Sequence, residues 1–202
     1  MNDPSNGPAK EALRARMLAV RAAVPPAERA AASRAIVERL AGLPAWERAR
    51  TVVLHAPLGA EVDVSELARR GAAEGKRVAW PRLRDGGRSM EIACCSAAEL
   101  VPGPARALEP PPSSPALPLR DVDLVVVPGV AFDAAGGRLG RGRGHYDATL
   151  GALPAGAARV GVAFDAQVVD RVPREPHDAS LDAVVTESRV LAPDRRAGTG
   201  AG

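Results

Sequence analysis

The chain has almost no lysine. Lys10 and Lys76 are the only two in 202 residues, and every other strongly basic side chain is arginine. In a composition rich in alanine, glycine and proline, single arginines therefore mean little and single lysines mean more. Aromatics are as scarce, limited to Trp46, Trp80, Phe132, Tyr146 and Phe164. The core must be built mostly from Leu, Val and Ala. The two cysteines are adjacent, Cys94 and Cys95. That spacing fits neither a metal knuckle nor a C-x-x-C redox pair, and neighbouring cysteines rarely bridge. They read as small residues at the end of a strand. No apolar run approaches membrane-spanning length. The opening MNDPSNGP has neither a basic start nor an apolar stretch, so no signal peptide is expected and the cytoplasm is the expected location. A formal net charge of +3 supplies no global field for nucleic acid or a membrane surface.

What is present concentrates in residues 136–147, GGRLGRGRGHYD. Gly136, Gly137, Gly140, Gly142 and Gly144 let backbone come close to a ligand and take positive φ. Arg138, Arg141 and Arg143 between them offer forked donors suited to phosphate or carboxylate. Upstream, residues 123–127 (DLVVV) read as a buried strand running into Pro128-Gly129. Downstream, residues 146–150 open a helix. Strand, basic glycine loop and helix start form an anion cradle, because helix N-termini present unpaired N–H groups. A trailing carboxylate, Asp147, suits a divalent cation bridging phosphates. The pattern predicts a nucleotide-handling protein.

Along the rest of the chain, residues 1–9 and 191–202 read as tails, flanking a single domain over 10–190. Residues 10–24 carry Leu13, Met17, Val20 and Val24 at helical spacing. Lys10, Arg14 and Arg21 fall within about 40° of one another on that helix, at the edge of its apolar stripe. Pro25-Pro26 ends it, and Pro26 starts a second helix to about residue 43. Strands are predicted at 51–55, 77–80, 90–94 (antiparallel or at an edge), 159–164 and 183–186. A helix is predicted at 65–74, capped by Asp63 or Ser65. Seven prolines make 101–119 an extended connection rather than a regular element. Strands alternating with helices predict an α/β layered fold, with a largely parallel central sheet flanked by helices. The loops after the strands, at 55–61, 81–82, 128–147 and 165–178, should then converge on one edge of the sheet. His55 reads as a structural strand end, and His177 as shaping its loop. Asp133 and Asp165 read as turn formers.

These loops in this order resemble the 5-formyltetrahydrofolate cyclo-ligases, or 5,10-methenyltetrahydrofolate synthetases. Residues 10–14 (KEALR) are similar to the family's K-x-x-L-R. Residues 61–63 (EVD), Pro81-Arg82 and 108–110 (LEP) are similar to further short elements. Residues 127–147 (VPGVAFDAAGGRLGRGRGHYD) lie close to its signature, and 162–167 (VAFDAQ) and 172–178 (VPREPHD) also match. The resemblance spans about 10–187. It implies a monomeric enzyme that uses ATP and Mg²⁺ to close 5-formyltetrahydrofolate into 5,10-methenyltetrahydrofolate through a phosphorylated formyl intermediate, with no nucleic-acid or membrane partner. It implies ATP contacts from Lys10, Arg14, Arg138, Leu139, Gly140, Arg141, Gly142, Arg143, Gly144, His145 and Tyr146. Folate contacts are implied for Glu61, Arg82 and the stretch Arg141, Gly142, Arg143, Gly144, His145. Asp147 and Asp178 are implied as Mg²⁺ ligands, and Lys10, Arg141 and Asp147 as catalytic residues. The family has two tyrosines before the aspartate, where this chain has His145 and Tyr146. Two other readings compete: a sugar-phosphate isomerase or sensor on a similar sheet, or a paralogue with another substrate. A Gly/Arg segment with RNA affinity is a third.

Overall fold

A computed structural model of the protein describes residues 6–84, 89–104 and 106–193. The outer parts of both expected tails, 1–5 and 194–202, lie outside these residues. The first helix starts earlier than the apolar spacing suggests: α1 runs Asn6–Ala23. Pro25 then interrupts the chain and Pro26 opens α2 (Pro26–Ala41), which ends as Gly42 N–H bonds back to Glu38 and Leu40. A short α3 (Pro44–Arg48) follows.

The strands are β1 (Thr51–Val53), β2 (Arg77–Arg82), β3 (Glu91–Cys94), β4 (Val101–Pro102), β5 (Leu108–Glu109) and β6 (Ala116–Leu117). They continue with β7 (Leu124–Val127), β8 (Ala131–Phe132), β9 (Arg138–Leu139), β10 (Ala158–Val162), β11 (Ala183–Val185) and β12 (Val190–Leu191). Helices α4 (Ser65–Ala73) and α5 (His145–Gly151) complete the set. The main sheet has the order β12-β11-β10-β7-β1-β2-β3-β6. Its five central strands, β11, β10, β7, β1 and β2, are parallel, whereas β12, β3 and β6 join antiparallel. The α/β class and the largely parallel sheet are as predicted.

Strand alternation divides the core between the two sheet faces. Val52, Leu54, Leu124 and Val126 pack with Ile36, Leu40, Trp46 and Leu67 from α2, α3 and α4. Val53, Val125 and Val127 point the other way, toward Leu150, Leu153 and Phe132. At about 25 cal/mol per Å² of apolar surface removed from water, these mainly aliphatic layers carry the fold, with Trp46, Trp80, Phe132 and Phe164 buried among them. A smaller cluster, Met17 with Val130, Ala131, Leu139 and Val172, seats α1 against the β8–β9 hairpin. That seat brings the basic edge of α1 to the glycine loop. Among the described residues no helix is long and apolar enough to cross a membrane.

Three local expectations are corrected. Residues 101–119 are not purely extended: β4 pairs with β5, and β6 adds to β3, so β3 is an inner strand. Neither Asp63 nor Ser65 caps α4; Val64 occupies that position without a side-chain bond. Asp63 instead accepts the Ser65 N–H at 2.9 Å, an Asx-type turn. The cysteines behave as read, free and half-buried at the end of β3, and burial pushes both thiols up.

Candidate active site

Beyond the carboxyl ends of the parallel strands lies one cavity of about 540 Å³, within the range of small-molecule sites. Its walls come from α1, the loop after β1, the end of β2, the β4–β5 hairpin, residues 128–147 and the 175–178 turn. The predicted convergence of loops is realised.

Asp133 fixes the glycine loop. This fully buried carboxylate accepts Ala135 and Gly137 N–H at 3.0 and 2.7 Å, and Val172 N–H at 2.8 Å. One side chain thus ties the β8–β9 turn to the segment leading to Asp178, the turn-forming role read for it. Gly142 and Gly144 have φ of +94° and +71°, where L side chains are strained. Gly144 is the residue before α5, so the loop delivers His145, Tyr146 and Asp147 directly at the helix start. Thr149 locks that helix, donating to His145 O at 2.8 Å and accepting Met90 N–H at 2.9 Å.

Most of the charged side chains facing the cavity from these elements are held by protein partners. Lys10 Nζ donates to Glu175 Oε2 and Asp178 Oδ2, both at 2.7 Å. These contacts hold the Asp178 carboxyl below its usual range against the opposing effect of burial, and raise Lys10. Arg14 Nε donates to Gly140 O at 3.0 Å, clamping the loop to α1. Arg138, buried, donates to Asp147 Oδ1 at 2.8 Å, and its guanidinium lies 5.5 Å from the Tyr146 ring centre. Burial pushes the Tyr146 phenol well above its ordinary value. Arg141, half-exposed, donates to Glu61 Oε1 at 2.9 Å, while Glu61 Oε2 accepts Leu58 N–H at 3.0 Å. Arg143 and Leu139 also line the cavity.

With this geometry, comparison with known proteins is decisive. The family model described as the 5-formyltetrahydrofolate cyclo-ligase family matches residues 6–187. The chain belongs to that family. A 5-formyltetrahydrofolate cyclo-ligase of Mycolicibacterium smegmatis is 34% identical over 186 residues, covering 89% of this chain and 94% of the relative. One from Escherichia coli is 35% identical over 156 residues, covering 75% and 86%. The NMR structure of Aquifex aeolicus 5,10-methenyltetrahydrofolate synthetase superposes with a TM-score of 0.80 at 33% identity, covering 92% of this chain and 93% of that one. As a member of the cyclo-ligase family the chain is an enzyme, and the resemblance read from seven short segments holds.

All but one of the site residues expected from that resemblance face this cavity. The exception is Arg82. It lies opposite Glu91 in the β2–β3 register and is bound there, Nε to Glu91 Oε2 at 3.0 Å, with Nη1 on Pro111 O. Pro81 lines the cavity in its place, as strand alternation requires. Four lining or adjoining residues were not expected in the site. Arg21, the third member of the basic row, is buried; it donates to Gly129 O at 3.2 Å and stands 3.9 Å from Glu61 Oε1. Glu175 shares Lys10 with Asp178. Glu109, from the matched LEP element, is buried in the cavity wall. His55, also lining it, is 3% exposed, with neither ring nitrogen hydrogen-bonded. Burial pushes that ring's pKa down, against the fields of Glu61 and nearby carbonyls.

A divalent cation fits the donors present. Asp147 and Asp178 line the same cavity, each holding a basic side chain at hydrogen-bond distance, and Asp178 stands with Glu175 and His177 in a group whose ligand atoms lie within 4.8 Å of one another. Hard oxygen donors few in number suit Mg²⁺ completed by phosphate and water.

Proposed function

We propose that this chain closes 5-formyltetrahydrofolate to 5,10-methenyltetrahydrofolate with ATP and Mg²⁺, releasing ADP and phosphate, in a unit spanning residues 10–190. The observation that carries the reading is the meeting, in one cavity, of a basic glycine loop, the α1 cations Lys10 and Arg14, and the carboxylates Asp147 and Asp178. A sugar-phosphate site needs an anion cradle but has no use for two helix cations and a separate carboxylate pair.

In this mechanism the formyl oxygen attacks the γ-phosphorus and ADP leaves, giving a phosphorylated imine-like intermediate. N10 then attacks the activated carbon, loses its proton, and phosphate departs. No protein nucleophile is needed, so catalysis rests on positioning and charge stabilisation. Lys10 and Arg14 hold phosphates from α1, and residues 138–146 wrap the triphosphate with backbone N–H groups and arginines. Arg141, exposed and on the rim, stabilises charge on the transferring group while reaching the folate. Asp147 and Asp178 would hold Mg²⁺, which supplies charge neutralisation at the phosphate oxygens. Glu61 and residues 141–145 face the folate. Arg82 supports the β2–β3 wall and contacts neither substrate.

The test mixes the purified protein with 5-formyltetrahydrofolate, ATP and Mg²⁺ and follows the near-ultraviolet band of the methenyl product, omitting ATP as control. ATP-dependent growth of the band is expected. No band with ATP still bound would indicate another substrate, and no ATP binding would remove the nucleotide reading altogether.

A further inference from the structure

Three glutamates line the cavity, and among the described residues Glu109 alone of them has no ion pair, Glu175 being held by Lys10. Glu61 spends Oε2 on Leu58 N–H and Oε1 on Arg141, with Arg21 behind it. Glu109, on β5, is 6% exposed. Among the described residues its one hydrogen bond is Leu83 N–H to Oε2 at 3.0 Å, and no ion pair holds it. Burial pushes its carboxyl up, against the Leu83 N–H and the more distant Arg82 and His145, and Arg82 is bound to Glu91 and Pro111 O. The surroundings are apolar: Leu83, Met90, Leu108 and Pro81 line the same wall.

A largely buried carboxylate with one protein bond is weakly compensated, because its remaining acceptor sites are met only by what occupies the cavity it lines. Such a group persists where something else completes it. The backbone is also shaped around it. Gly103, whose N–H bonds Ala107 O across the hairpin at 2.8 Å, packs directly on the carboxyl group. A Cβ at 103 would fall 2.4 Å from Glu109 Cδ and 2.7 Å from Oε1.

We propose that Glu109 is a specificity-determining binding residue, which accepts adjacent N–H donors on the edge of a planar heterocycle seated between these apolar walls. For the substrate proposed above, on which this inference rests, that edge is the 2-amino and N3–H pair of the pteridine ring. Paired donors match a carboxylate in geometry and sign. Glu61, which also faces the folate, has its oxygens already engaged by Leu58 N–H and Arg141. A site built to satisfy ligand donors rejects analogues that lack them, because its own polar group is left bare.

The experiment is equilibrium dialysis of 5-formyltetrahydrofolate without ATP, and of its 2-desamino-2-methyl analogue, on the full chain. Glu109→Gln keeps the volume and the Leu83 bond but turns an amide N–H₂ toward the ligand's donors. It is expected to weaken folate binding about 10-fold to 100-fold, the usual range for a charge-assisted bond, with ATP affinity unchanged. Wild type should disfavour the analogue by a similar factor, and Glu109→Gln should not. Gly103→Ala displaces the same carboxylate with its charge intact and must also weaken folate, which covers the case of a glutamine variant that does not fold. Wild-type folate affinity in either folded variant, or equal binding of both ligands by wild type, overturns the assignment while leaving the cyclo-ligase reading untouched. No folate binding by wild type refutes the substrate reading itself.

Discussion

Replacing Lys10 by alanine tests the charge arrangement most directly. The ammonium sits 2.7 Å from two carboxylates and is 14% exposed, against 20% for Glu175 and 11% for Asp178. A hydrogen bond to a charged group contributes about 1.5–3 kcal/mol, and breaking a fully buried pair costs about 3–5 kcal/mol. Here both carboxylates reach the cavity's water, and Asp178 keeps the Glu175 N–H at 2.7 Å. A net loss of about 2 kcal/mol follows, or a Tm lower by about 4–8 °C for a chain of this size. The loss has a defined pH window. Asp178 is depressed in the folded state, so its contribution is present above the ordinary carboxylate range and vanishes as pH falls through the folded pKa. Lys10 is raised, so its contribution is present below the ordinary lysine range and vanishes as pH rises through the folded value. The Tm gap between wild type and variant should be widest near neutrality and close at both extremes. In kinetics the same change should cost about 2 kcal/mol in kcat/KM for ATP, about 30-fold. Mg²⁺ without nucleotide should stabilise the variant more than wild type, since the ion no longer competes with the ammonium for Asp178. Scanning calorimetry across pH and Mg²⁺ concentration, with steady-state kinetics, covers all three. Unchanged ATP kinetics would remove α1 from the site, and an identical Mg²⁺ response would separate Asp178 from the metal.

Asp147→Asn should raise the Mg²⁺ concentration required for turnover by about tenfold or more with the fold intact but a lowered Tm, since buried Arg138 loses its counter-charge; an unaltered metal titration sinks that ligand. His55 folds with its pKa pushed down, so wild-type stability should fall as pH drops through the ordinary histidine range toward the folded value. His55→Leu should lose that decline, read as Tm against pH, and a decline persisting in the variant would assign it elsewhere. His145→Tyr, which restores the family's second tyrosine, should retain or raise folate turnover; abolished activity would give this histidine a role of its own.

Much of this was legible because it depends on local pattern. The apolar runs at 51–55 and 123–127 became buried strands, and Pro25-Pro26 divided two helices where φ is fixed and an N–H is missing. The glycine loop was readable because its residues need conformations few others adopt. What escaped depends on partners distant in sequence. Strands β4, β5, β6, β8 and β9 have two residues each, too short for any period, and exist only through their pairing. Arg82 was matched by motif, but alternation along β2 turns it to Glu91. Arg21 lay on the legible basic row, yet its burial beneath Glu61 arises from how α1 docks on the β8–β9 hairpin. Glu109 sat within a matched motif, and only the hairpin's fold against Leu83 makes it a half-satisfied acid.

The pairings Lys10 with Asp178 and Glu175, Arg138 with Asp147, and Arg141 with Glu61 share one logic. Each joins a group suited to phosphate with one suited to a cation or to N–H donors. Charges held this far from water require counter-charges, and these three pairings set basic and acidic groups of the cavity against one another. A triphosphate alone would draw Lys10 and Arg138 away and leave three carboxylates bare. A divalent cation alone would take the carboxylates and leave the basic groups facing each other. Under the proposed function, a triphosphate and a divalent cation bound together would exchange these partners for one another, and each would lower the cost of admitting the other, a positive coupling that arises from charge balance without a change in fold.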